Sequence, residues 1–144
     1  MRSSKLIDQL RRNQVALISL VVAIISLSYN TWRNEASEDN RTQRLVSMEV
    51  LLQIGELAEL VLYSHYDPEF KGKGNPRTGW AIVMTIEDLT QILELPHPES
   101  ATELKKTWQI HWKTLAESAV SKDVIRAAID DLRQDTLMLL RMLD

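Results

Sequence analysis

Hydrophobic residues fall along this chain in three regimes. From Asn13 to Trp32 no residue is charged, and Val15–Leu27 (VALISLVVAIISL) is apolar on nearly every side of a helix. From Arg33 to Arg44 (RNEASEDNRTQR) the chain turns polar. From Leu45 onward apolar residues return at helical spacing, dense at first and then sorted into stripes. Glycine and proline, four of each, all lie between Gly55 and Pro98. So few breakers predict an all-α chain: an N-terminal transmembrane helix continuing into a small antiparallel helical bundle.

The first regime predicts a membrane span over 14–32. Lipid offers the backbone no hydrogen-bond partner, so a lone span must be helical. Val15 to Trp32 is 18 residues, ~27 Å of helix at about 1.5 Å per residue. That is close to a hydrocarbon core of roughly 30 Å. Ser19, Ser26 and Ser28 fit, because a helical serine can bond its own backbone. Tyr29 and Trp32 stand at the far end, where amphipathic rings favour the headgroup layer, and are candidate interface anchors. Two rival readings exist. The strictly apolar core has the length of a signal-peptide h-region, with Ser26-Leu27-Ser28 as a small-x-small cleavage site. A run apolar on all faces also suits the core helix of a soluble protein. The unbroken helical pattern through Tyr29–Glu35 favours an uncleaved anchor.

Flanking charge sets the expected orientation. Arg2, Lys5, Arg11 and Arg12 precede the span against Asp8, whereas Arg33, Arg41 and Arg44 follow it. The excess of Lys and Arg places the tail 1–13 in the cytoplasm and the bulk outside, in the periplasm if the membrane is a bacterial inner membrane. With four of the 17 basic and one of the 20 acidic residues in that tail, residues 33–144 keep 13 and 19, a net charge of −6. Such a balance argues against nucleic acid, which needs a concentrated basic face. There is no cysteine, hence no disulfide framework, and packing alone must hold the domain.

Within 33–144 the spacing predicts helices over about 33–65, 80–95, 100–117 and 121–143. The first opens on a solvated segment and then becomes apolar nearly all round from Leu45 to Tyr63. That is the signature of a helix covered on several sides. Asp67-Pro68 ends it, and a connector from Asp67 to Gly79 follows. Ile82, Ile86, Leu89 and Leu93 form the second stripe; Leu104, Trp108, His111 or Trp112, and Leu115 the third. Ile125, Ile129, Leu132, Leu139 and Leu143 form the last. Ser100-Ala101-Thr102-Glu103 reads as a capping box opening the third helix, and Ser121 as the start of the fourth. Short links between helices predict antiparallel neighbours.

A short basic tail, one span, the exit Asn30-Thr31-Trp32-Arg33-Asn34-Glu35 and a small helical domain resemble uncharacterised bacterial single-span membrane proteins. The resemblance covers the layout and the exit segment. It implies a membrane location and brings no activity.

Candidate chemistry is thin. His65, His97 and His111 are the only histidines, and none pairs with another at helix-turn spacing, so no metal or cofactor is expected. Trp108, His111 and Trp112 share a helical face and form either a ligand wall or a core wall. Tyr63, His65 and Tyr66, with Lys71, Lys73 and Arg77, form either a polar pocket rim or an exposed linker. Lys71-Gly72-Lys73-Gly74 lacks the second element of a phosphate loop, and no nucleophile elbow is available without strands. The segment apolar all round offers an interface instead: Met48, Leu51, Leu52, Gly55, Ala58 and Leu62, with Gly55 and Ala58 leaving room for a second helix. The expected function is a membrane-anchored interaction or accessory subunit without catalytic activity, contacting lipid and either further copies of itself or a helical partner. The alternative is an extracytoplasmic ligand-sensing bundle that signals through a partner.

Overall fold

A computed structural model of the chain describes residues 13–67, 74–94 and 96–143. Four α-helices and one short 3-10 turn account for nearly all of them, and there is no strand among the described residues. The helices are α1 (Gln14–Tyr66), α2 (Pro76–Thr90), α3 (His97–His111) and α4 (Ala119–Met142), with the turn Trp112–Thr114 after α3. The basic residues of the tail, and Pro68, Lys71 and Lys73 of the connector, lie outside the described residues.

The chain divides into two compact units, Met1–Asn40 and Arg41–Asp144. The described part of the first is the N-terminal portion of α1, with every residue exposed. An 18-residue window of α1 has a mean hydropathy of 1.8 and no buried residue, so this helix is long and apolar enough to cross a membrane. Its apolar run is therefore not a core helix within this chain. The Ser19 hydroxyl donates to the Val15 carbonyl at 2.8 Å and Thr31 to Leu27 at 3.0 Å. These two hydroxyls are thus satisfied inside the helix.

The second unit has one apolar core fed by all four helices. α1 contributes Val50, Ile54, Leu57, Leu60 and Val61; α2 contributes Ile82, Val83 and Ile86, with Leu93 just beyond it; α3 contributes Ala101, Leu104 and Trp108. Leu115 follows the 3-10 turn, and α4 adds Ile125, Ile129, Leu132 and Leu139. The stripes expected from sequence are these, with Leu89 and Leu143 packed at the margin. α2 lies against α3, and α3 against α4.

Both ends of α2 and of α3 differ from the sequence expectation; α3 stops at His111 rather than 117, where the 3-10 turn Trp112–Thr114 takes over. α2 starts at Pro76 rather than near Trp80. The Asn75 side chain accepts from the Arg77 N–H at 3.0 Å, and Pro76 occupies the first position, where a missing N–H is harmless. Its glycine, Gly79, is a packing residue: a Cβ there would overlap the indole of Trp108. α2 also stops at Thr90, short of the expected 95. α3 begins at His97, so the expected capping box does not form. Pro98 fits the first turn, Ser100 sits inside the helix donating to Asp135 of α4, and Glu103 pairs with Lys106 at 3.4 Å. α4 is capped by Ser118, whose Oγ accepts from the Ser121 N–H at 3.2 Å. Gly74 has φ +86°, and a Cβ there would come within 2.6 Å of the Ser64 nitrogen. Both the backbone angle and the close approach require glycine at that point.

A fragment of residues 41–144 is expected to fold alone, giving a strongly helical circular-dichroism spectrum and a cooperative melt. Gly79→Ala overpacks the contact with Trp108 and should destabilise that fragment by about 1–3 kcal/mol. Trp108→Ala should cost about 3–5 kcal/mol. Urea denaturation followed at 222 nm measures both.

Candidate functional site

The dense apolar stretch of α1 resolves into two stripes. The inner one is buried: Ser47, Val50, Ile54, Leu57, Val61 and Ser64. The outer one runs Leu45, Met48, Leu52, Gly55, Glu59, Leu62 and Tyr66, and all seven are exposed. Both advance by alternating steps of three and four, and at 100° per residue their centres are roughly 150° apart. On the outer stripe Leu45 is 60% exposed, Met48 59%, Leu52 64%, Leu62 43% and Tyr66 67%. A Cβ added at Gly55 would meet nothing within 4 Å. Leu51 and Ala58 are half-buried, and Ala58 packs against the core. Of the interface expected from sequence, Met48, Leu52, Gly55 and Leu62 therefore lie on the open stripe, and Leu51 and Ala58 on its flank. Leu45, Glu59 and Tyr66 complete it. They belong to the same 3.5-residue repeat, which is the sequence signal that finds them.

The expected pocket residues do not gather at one site: Tyr63 and Tyr66 line a common groove and His65 meets Tyr66 edge-on at 4.9 Å, but the others lie apart. Trp108 is fully buried in the core. Trp112 lies in the 3-10 turn, half-buried, edge-on to Trp80 at 6.3 Å, with the Lys113 ammonium 5.7 Å from its ring centre. The His111 Nδ1 lies 3.2 Å from the Ser121 hydroxyl, which also bonds Thr114 at 2.8 Å. Trp108 and Trp112 both pack on the core, and His111 meets the start of α4, which is the core-wall arrangement rather than a ligand wall. His65 Nδ1–H donates to the Leu115 carbonyl at 2.9 Å, and buried His97 donates to the Glu94 carbonyl at 2.5 Å. Each histidine is committed to its own structural bond, and no group of three or more metal-ligating side chains occurs among the described residues.

Two open grooves flank the outer stripe. One is lined by Glu56, Glu59, Leu60, Tyr63, Gly74, Asn75, Thr78 and Ile82. The other, at the end of α1, is lined by Glu59, Leu62, Tyr63, Tyr66 and Asp67. Tyr63 lines both, whereas Arg77 and His65 line neither. In the N-terminal unit Tyr29 and Trp32 are exposed neighbours with ring centres 6.2 Å apart.

Tyr66 is fixed by Lys122 of α4. The Lys122 ammonium donates to the Tyr66 hydroxyl at 3.1 Å and lies 3.2 Å from Asp123. The hydroxyl, then Asp123, raise the lysine pKa above its ordinary 10.5, against the opposing effect of burial. No known protein family, curated protein or solved structure matches this chain.

A raised lysine pKa stabilises the fold at every pH below the ordinary lysine value, and that contribution is lost as pH rises through the folded-state value. Fragment 41–144 is expected to melt higher than its Lys122→Met variant at neutral pH, with the gap closing above the ordinary lysine range. Melting temperatures of both proteins between pH 7 and pH 12 measure this.

Proposed function

We propose that this chain is a membrane-anchored interaction or accessory subunit, not an enzyme, and that the outer stripe of α1 is its working surface. One observation carries the reading. Four large aliphatic side chains and a tyrosine stand open along one line of a helix whose opposite face is already committed to the core. A contiguous apolar stripe on an otherwise finished domain marks a contact surface. The histidines and tryptophans that could have formed a chemical site are engaged in structure, which supports a binding role over catalysis.

The apolar window of α1 supports the anchor. In this reading 14–32 crosses a bacterial inner membrane, with Tyr29 and Trp32 at the headgroup layer. The basic tail is cytoplasmic, and residues 33–144 form an antiparallel bundle in the periplasm. The groove beside Glu56 and Tyr63 supports the second reading, a ligand-sensing bundle.

Full-length protein is expected to stay in the membrane pellet after carbonate extraction, because a spanning helix is not held by charge. A periplasm-dependent reporter fused after Asp144 should be active. Single cysteines at 45, 48, 52, 55 and 62 should be shielded from a maleimide-polymer reagent in native membranes and become reactive in denaturant, while cysteines at Ile110 and Val120 stay reactive throughout. Full reactivity along the stripe in membranes would overturn the interaction reading and favour ligand sensing.

A further inference from the structure

We propose that the occupant of the outer stripe is the same helix of a second copy, packed parallel and in register as a two-stranded coiled coil from Leu45 to Tyr66. This rests on the interaction reading and names its partner.

Four observations select that partner. The alternation of three and four selects a helix, because only a helical partner presents holes that match knobs at a 3.5-residue repeat. Copies inserted by the same charge bias share one chain direction, so parallel pairing sets every seam residue against its own counterpart. Confinement to one membrane also raises their effective concentration. The seam itself is uncharged except at Glu59, and at Gly55 the backbone is open to close approach. The edges are complementary as well. In parallel register a residue flanking the seam meets the one five positions further along the other copy. That sets small Ala58 beside large Tyr63. The inner stripe faces the opposite way, so this pairing leaves the core of each copy untouched.

Glu59 opposes its own counterpart in such a dimer. Two carboxylates brought together in an otherwise apolar seam weaken it. Glu59 is therefore the residue that separates this proposal from docking of a different helix. Removing its charge strengthens a self-pair, but weakens a pair that offers a basic group at that height.

The experiment uses the full-length chain in native membranes, with two epitope-tagged copies co-expressed. The protein has no native cysteine, so single cysteines report one position each. Under mild oxidation, cysteines at 48, 52, 55 and 62 are expected to give disulfide dimers carrying both tags, and cysteines at Ile110 and Val120 are not. In the 52-cysteine background, Glu59→Leu should raise the dimer fraction by about twofold or more. In the 48-cysteine background, Leu52→Lys should abolish the dimer while the circular-dichroism spectrum stays helical. Glu59→Gln provides a second variant that keeps side-chain volume and polarity, and it should act in the same direction as Glu59→Leu. If the stripe is shielded from maleimide but no doubly tagged dimer forms, or Glu59→Leu lowers it, a different helix is the partner; self-pairing falls and the interaction reading stands. If the stripe is reactive and no dimer forms, both fall. Equal cross-linking at 110 and 120 would mark random collision and overturn the proposal.

Discussion

Burial of the inner stripe of α1 is the contact on which residues 41–144 depend. Val50, Ile54, Leu57 and Val61 are completely buried, and each contributes about 1.5–3 kcal/mol relative to exposure. Against a typical net stability of about 5–15 kcal/mol for a domain, this one line of side chains is decisive. No disulfide supplements it. The stripe begins and ends on serines, Ser47 and Ser64, which are buried but small, so the line narrows where the apolar contacts run out. The 3.5-residue repeat that aligns these side chains inward has a second consequence. Whatever apolar residues fall on the complementary positions of the same helix must face outward.

Directional bonds locate what hydrophobic burial alone leaves free. Toward the start of the α1 segment, the Gln43 side chain donates to the Ile92 carbonyl at 3.0 Å, and Arg44 donates to the Leu143 carbonyl. Toward its end, His65 reaches Leu115 and Tyr66 accepts from Lys122. Three of these bonds use carbonyls at or just beyond the ends of other helices, where the helix leaves acceptors unpaired. They set rotation and register along α1, and so they decide which side chains form the outer line. A residual polar contact at each end thus governs the geometry of the apolar surface between them.

Period and breakers made much of this legible from sequence. The stripes Ile82/Ile86, Leu104/Trp108/Leu115 and Ile125/Ile129/Leu132/Leu139 follow from spacing alone, because an amphipathic helix on one core has a single solution for its buried face. α1 was harder. With Leu45, Met48, Val50, Leu51, Leu52 and Ile54 in close succession, two opposed stripes look like one helix apolar all round. Only the partners of Ile54 and Leu57 show which half is inside. The starts of α2 and α3 were obscured by breakers used as helix residues. Pro76 and Pro98 sit in first turns, and Gly79 is helical because an indole needs its place. Of the two readings of Trp108, His111 and Trp112, the core wall holds for the tryptophans: Trp108 lies in the core and Trp112 packs against it. His111 instead meets the Ser121 hydroxyl at the start of α4, a tertiary contact that helical spacing alone does not foretell.

The contact between Gly79 and Trp108 couples two positions that are far apart in the chain. Position 79 has no room for a side chain while the indole is present, and the indole has no room to move while the core around Leu104 and Leu115 is full. Substitution at either site alone is unfavourable: one crowds the contact, the other empties it. The two positions can diverge only as a pair, with a side chain gained at 79 and volume given up at 108. Among descendants of this sequence their identities should therefore be statistically linked, and the pair would serve as a register mark aligning α2 with α3.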